Sequence, residues 1–198
     1  MTNEQVKIKA DEVLKKYVPK GGAYKKFETF MAAENIKFRT ITAKDNFLGI
    51  FTHANNGQAY IMVNNNITND GRRHFTIAHE LGHYFLCHEL KNGQCFDADI
   101  LEDGTAVDAI EREANYFASC LLMPESKIKP AFLSMLQRSR KAKVKDFLNV
   151  RNDVTWGIWC GIGSELKKRY GVSDAALRYR LSSLGLARFS FSGLGFQQ

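Results

Sequence analysis

The chain has 198 residues, 44% apolar and 25% charged, proportions of an ordinary globular protein with enough length to bury a core. No apolar run approaches the length a membrane-spanning helix needs, and the opening MTNEQVKIKADEVLKK has no signal-like apolar stretch. Membrane and signal-secreted classes are therefore not expected. Cys87, Cys95, Cys120 and Cys160 show no C-x-x-C spacing and read as reduced thiols of a cytoplasmic protein.

Residues 3–18 place Val6, Ala10, Val13, Leu14 and Val18 at helical spacing, and a turn at Pro19-Lys20-Gly21-Gly22 is expected to end that helix. Residues 23–34 suggest a second helix. The pattern then changes to three short β-branched or aromatic runs, IKFRTIT, FLGIFTH and QAYIMVN, with a hairpin turn at Asn55-Asn56-Gly57 between the last two. A small antiparallel sheet is predicted. A helix follows, capped by Asn69 or Asp70 and running to about Cys87. After a polar, acidic loop, a further helix spans about Ala106 to Met123, with Thr105 or Asp108 as its cap and Pro124 as its stop.

Charge divides the chain near that proline. Residues 1–125 carry 14 Lys and Arg against 17 Asp and Glu, net −3; residues 126–198 carry 14 against 4, net +10. The expected division is a domain over 1–125 and a basic, mostly helical region over 126–198. The basic part suits an anionic partner or, equally, a solvated surface.

The chemistry lies in the first of these parts. RHFTIAHELGHYFL contains an H-E-x-x-H pattern in an apolar, helical context. His79 and His83, one turn apart on one face, can direct both imidazoles at one tetrahedral zinc ion. Glu80 lies about 100° round the helix, placed to act as a general base without ligating. A catalytic zinc wants a third protein ligand. In IEREANYFASCLLMP, Glu111 heads a stripe with Ala114, Asn115, Ala118 and Leu122. Glu111 is therefore the expected third ligand. Asn115 is placed one turn on to hydrogen-bond a histidine ring nitrogen. Glu113, on a different stripe, is the competitor. Small side chains at Ala114 and Ala118 favour close approach of the two helices, and Gly82 leaves space beside the site.

RRHFTIAHELGHYFLCHE followed by EREANYFASCLLMP resembles the ImmA/IrrE family of metallopeptidases, a gluzincin-like group, over about Phe47 to Pro124 and more loosely beyond. The resemblance implies a zinc endopeptidase with one ion per chain, usually encoded in bacteria or their mobile elements. Its typical substrate is a helix-turn-helix transcriptional repressor, cleaved to release its genes. Some relatives act on stress-response regulators instead. His79, Glu80 and His83 match the first motif, and Glu111 and Asn115 match the second. His53, His74, Tyr84, His88 and Tyr116 are all candidates to stabilise the oxyanion. QAYIMVN is a candidate to pair with substrate backbone.

Segment 164–186, within SELKKRYGVSDAALRYRLSSLGL, reads as a helix-turn-helix with a core of Leu166, Tyr170, Val172, Ala176, Leu177 and Leu181. Lys167, Lys168, Arg169, Arg178 and Arg180 are its candidate contacts to DNA or a protein partner. QRSRKAKVKD (137–146) reads as a solvated basic face. The alternation of Phe189 and Phe191 predicts a short strand that docks on the body or on a partner. The whole is expected to be α+β: either a zinc peptidase acting on a regulatory protein, or a DNA- or protein-binding regulator with a structural or inactive metal centre. An intact Glu80 favours the peptidase, since a structural metal has no use for a general base.

Overall fold

A computed structural model describes residues 1–18, 27–44, 47–88, 109–139 and 146–191. The expected turn at 19–22, the acidic loop, the candidate caps Thr105 and Asp108 of the helix after it, Cys95 and most of the basic run at 137–146 lie outside them. The chain divides into two compact units, Met1–Leu122 and Met123–Gln198.

The first unit is α+β. Helix α1 (Asn3–Tyr17) opens with a capping box: the Thr2 hydroxyl accepts from Gln5 N–H, and the Gln5 side chain accepts from Thr2 N–H. Its buried face, Val6, Ala10 and Val13, heads an apolar cluster that Tyr17 extends to the rings of Phe30 and Phe85. Helix α2 (Phe27–Ala33) buries Phe27, Phe30 and Met31. Strands β1 (Lys37–Ile41), β2 (Gly49–His53) and β3 (Ala59–Asn64) follow.

The α+β class holds, but the sheet is mixed rather than wholly antiparallel. Its order is β1-β3-β2, with β2 antiparallel and β1 parallel to β3. The β2–β3 hairpin turns at Gly57, whose φ of +79° suits glycine. The chain must therefore cross the end of β3 between β1 and β2, and buried Asn64 secures that crossing. Its amide donates to the carbonyls of Ala43, Lys44 and Phe47, the last at 2.8 Å. Sequence patterning identifies strands but carries no signal for this order. One consequence corrects the expected role of β3: flanked on both sides, it has no edge for a substrate strand, whereas β2 has one among the described residues.

Helix α3 (Asp70–Phe85), capped by Asn69, packs against α4 (Ala109–Leu122). Their approach is set by small residues. A Cβ on Gly82 would sit 3.1 Å from the Ala114 carbonyl oxygen and 3.2 Å from its Cα. Gly82→Ala would gain about 1 kcal/mol of helix propensity. Because the opposing atoms are backbone, we expect the overpacking cost of about 1–3 kcal/mol to win. Denaturant unfolding should show a net loss of stability, and an equally stable variant would refute this account of the interface.

In the second unit, α5 (Glu125–Arg138) begins directly after Pro124 and contains Pro130. Asn152 caps α6 (Asp153–Tyr170), which ends at Gly171 in the left-handed region, φ +60°. Ser173 then caps α7 (Asp174–Ser183). Leu166, Tyr170, Val172, Ala176, Leu177 and Leu181 are all buried at this turn. Strand β5 (Ala187–Phe189) pairs in parallel with β4 (Leu148–Val150), so the segment around Phe189 docks within this unit. Among the described residues no helix is long and apolar enough to cross a membrane.

Candidate metal centre

The H-E-x-x-H helix is buried along most of its length because the sheet covers one side and α4 another. His79, Glu80, His83 and Glu111 are all buried. Four ionisable groups in so little solvent would be costly unless they neutralised one another or held an ion.

Three of them converge. His79 Nε2 lies 2.9 Å from His83 Nε2 and 3.0 Å from Glu111 Oε2, and His83 Nε2 lies 3.4 Å from Glu111 Oε1. Donors about 2.0–2.1 Å from a tetrahedral zinc stand roughly 3.3 Å apart, so the cluster fits such an ion with small adjustment. Hydrogen bonding supports the fit. Asn115 Oδ1 lies 2.8 Å from His79 Nδ1 and accepts its proton, which leaves Nε2 as the lone-pair donor facing the cluster. Two imidazoles and one carboxylate suit zinc among common divalent ions.

The electrostatics are consistent. Burial raises the Glu111 carboxyl, but hydrogen bonds to His79 and His83 outweigh it and hold the group down at about 2. Burial lowers His79, while Glu111 and Glu80 more than offset it, so its net shift is upward. His83 is shifted down, chiefly by burial. Glu80 behaves oppositely to Glu111. Burial pushes it up to about 7, with opposing contributions from His79, which lowers it, and Glu111, which raises it. The Phe51 backbone N–H on β2 also hydrogen-bonds this carboxylate. A Cβ on Gly49 would lie 3.0 Å from Glu80 Oε1 and 2.7 Å from Thr76 Cγ2, so glycine there makes room for the side chain.

Glu113 lies outside the cluster. Its Oε2 is 3.1 Å from His88 Nε2, and its Oε1 accepts from the Met1 amine. His88, an oxyanion candidate by sequence, instead places its Nδ1 3.0 Å from His83 Nδ1. Burial, then the neighbouring His83, push His88 down to about 4. The signal for this contact was a histidine five residues after His83, just past the helix end. Nothing in the sequence pointed to the Phe51 N–H or to Gly49.

Of the other candidates, Tyr84 donates to Glu34 Oε2 at 2.9 Å. With His53, Phe51 and His88 it lines a cavity of about 920 Å³, to which none of His79, Glu80, His83 and Glu111 contributes. His74 packs against the Phe27 ring and lines a different cavity. Tyr116 is buried in α4.

The basic residues of the α6–α7 turn are mostly engaged within their own unit. Arg180 is corrected outright as a surface contact: it is 1% exposed and its Nε donates to the Met123 carbonyl at 3.0 Å. Arg178 pairs with Asp174 at 2.6 Å and lies over the rings of Trp156 and Phe189. Lys167 also pairs with Asp174, at 3.1 Å. Lys168 and Arg169 are exposed.

Two histidines one turn apart, a carboxylate from an adjoining helix and a second carboxylate beside them are the side-chain arrangement on which metal-dependent hydrolases with an H-E-x-x-H helix are built. Residues 31–182 match the family described as the IrrE N-terminal-like domain, a peptidase family. Over 109 residues the chain is 30% identical to Metallopeptidase ImmA of Bacillus subtilis (strain 168), an alignment covering 54% of this chain and 59% of that protein. The chain thus spans about three-fifths of that relative's length. It belongs to the ImmA/IrrE family.

Proposed function

We propose that the chain is a zinc-dependent endopeptidase that hydrolyses a peptide bond in a regulatory protein. A helix-turn-helix repressor in the cytoplasm, whose cleavage releases mobile-element or stress-response genes, is the substrate class this reading adopts. The observation that carries the activity is Glu80: buried beside three convergent donors, outside the set that ligates, and in contact with an open-edged strand. A purely structural site would leave that carboxylate without a task.

His79, His83 and Glu111 would hold the ion, which when bound supplies Lewis-acid polarisation of the scissile carbonyl and acidifies water. Glu80 takes the proton of the attacking water on its carboxylate and returns it to the leaving amine. Asn115 keeps the His79 ring in one tautomer throughout. The edge of β2, unpaired among the described residues, is suited to pair with extended substrate backbone. Ionised Glu80 is the active form, so activity should fall as pH drops through its titration. The cation's charge favours the carboxylate, which puts this limb below about 7.

The direct test incubates the zinc-loaded protein with the repressor encoded beside its gene and maps products by mass spectrometry. A single defined cut, lost with a chelator, is expected; an intact repressor and intact regulators at large would defeat the reading. For DNA, the engaged state of Lys167, Arg178 and Arg180 supports a packing or protein-docking role for the second unit. A gel shift at physiological salt should therefore show only weak, sequence-independent binding, whereas a specific, Lys168- and Arg169-dependent complex would restore the regulator reading.

A further inference from the structure

Helix α3 ends at a residue in the left-handed region. Leu86 is its cap, and Cys87 takes the left-handed conformation, φ +56°, a position more often held by glycine. Cys87 N–H donates to the Tyr84 carbonyl and His88 N–H to the His83 carbonyl, the paired bonds of a Schellman turn. The backbone thereby folds His88 back onto His83. The two rings stand 5.0 Å apart, edge to face, with their Nδ1 atoms 3.0 Å apart.

The proton arrangement follows from chemistry. His83 Nε2 faces the donor cluster, so its Nδ1 carries the ring proton. His88 Nδ1 must then accept that proton, and its Nε2 carries its own, which it donates to Glu113 Oε2 at 3.1 Å. The His88 side chain is 6% exposed and that of Glu113 15%, so water competes little for these bonds.

We propose that His88 and Glu113 form a positioning relay that fixes the tautomer and orientation of the His83 ring for the metal, as Asn115 does for His79. The proposal rests on the metal-centre reading above and adds two residues to it. It also gives Glu113 a part: one step further out than ligation, acting through a histidine. A carboxylate behind a histidine behind a ligand raises the basicity of the ligating nitrogen and limits ring rotation.

The test measures zinc affinity of metal-stripped protein by competition with a chromophoric chelator, and the absorption spectrum of the cobalt-loaded form. His88→Ala and Glu113→Ala should each weaken zinc by about 10- to 100-fold and alter the cobalt bands. His88→Asn, which sets an amide oxygen near the Nδ1 position, should recover most of the affinity. Thermal unfolding of the metal-stripped proteins separates this from plain packing, which would lower the melting temperature and leave affinity unmoved. Zinc affinity of His88→Ala within about twofold of wild type overturns the relay. Wild-type protein that takes up no zinc overturns the metal centre itself and the relay with it, an outcome visible before any variant is made.

Discussion

Glu80→Gln should lower the turnover number for peptide cleavage by between about a hundredfold and ten-thousandfold, the range for loss of a general base. Zinc content should stay at the wild-type level, because Glu80 is not among the three convergent donors. The same substitution should also stabilise metal-stripped protein. Glu80 is raised to about 7 in the fold, above its ordinary value of 4.5. The stability it contributes is thus fully present below about 4.5 and lost as pH rises through about 7. Gln does not titrate, so the melting-temperature gain should be larger at about pH 8 than at about pH 5. Cleavage kinetics and paired melting curves check both halves. Undiminished turnover would remove Glu80 from the mechanism, and a gain that does not depend on pH would remove the burial argument.

Glu111→Ala should have the second largest effect, on the metal itself. Removing a direct ligand should weaken zinc by more than the 10- to 100-fold typical of an outer partner, and activity should disappear with it. Glu113→Ala is the internal control. Glu113 faces His88 rather than the cluster, so at saturating zinc this variant should still bind one ion and still cleave. Metal content after dialysis against a weak chelator distinguishes them. If Glu113→Ala lost metal and Glu111→Ala kept it, the ligand assignment would be reversed.

Much of the site was legible because helical periodicity is a local property. The spacing of His79 and His83 and the stripe of Glu111, Ala114, Asn115 and Ala118 each follow from 3.6 residues per turn. The structure puts every member of that stripe in the interior. Local rules likewise gave the cap at Asn69 and the Gly57 turn. What was not legible depends on non-local placement. The order β1-β3-β2 depends on how the chain rounds Asn64. The Phe51 N–H meets Glu80 only once β2 lies at the sheet edge beside α3. Arg180 looked like a surface cation because arginine usually is one, yet its guanidinium turns inward to a backbone carbonyl in its own unit. Helix α5 tolerates Pro130 in its interior because it buries Ile128, Phe132 and Leu136.

The most direct test of the central claim is anomalous diffraction at the zinc edge from crystals of the zinc-loaded protein. The account predicts one strong peak per chain, about 2.0–2.1 Å from His79 Nε2, His83 Nε2 and a Glu111 carboxylate oxygen, with Glu80 outside the ligand set. No peak among these residues, or a peak ligated by Glu80 or Glu113 in place of Glu111, would contradict it.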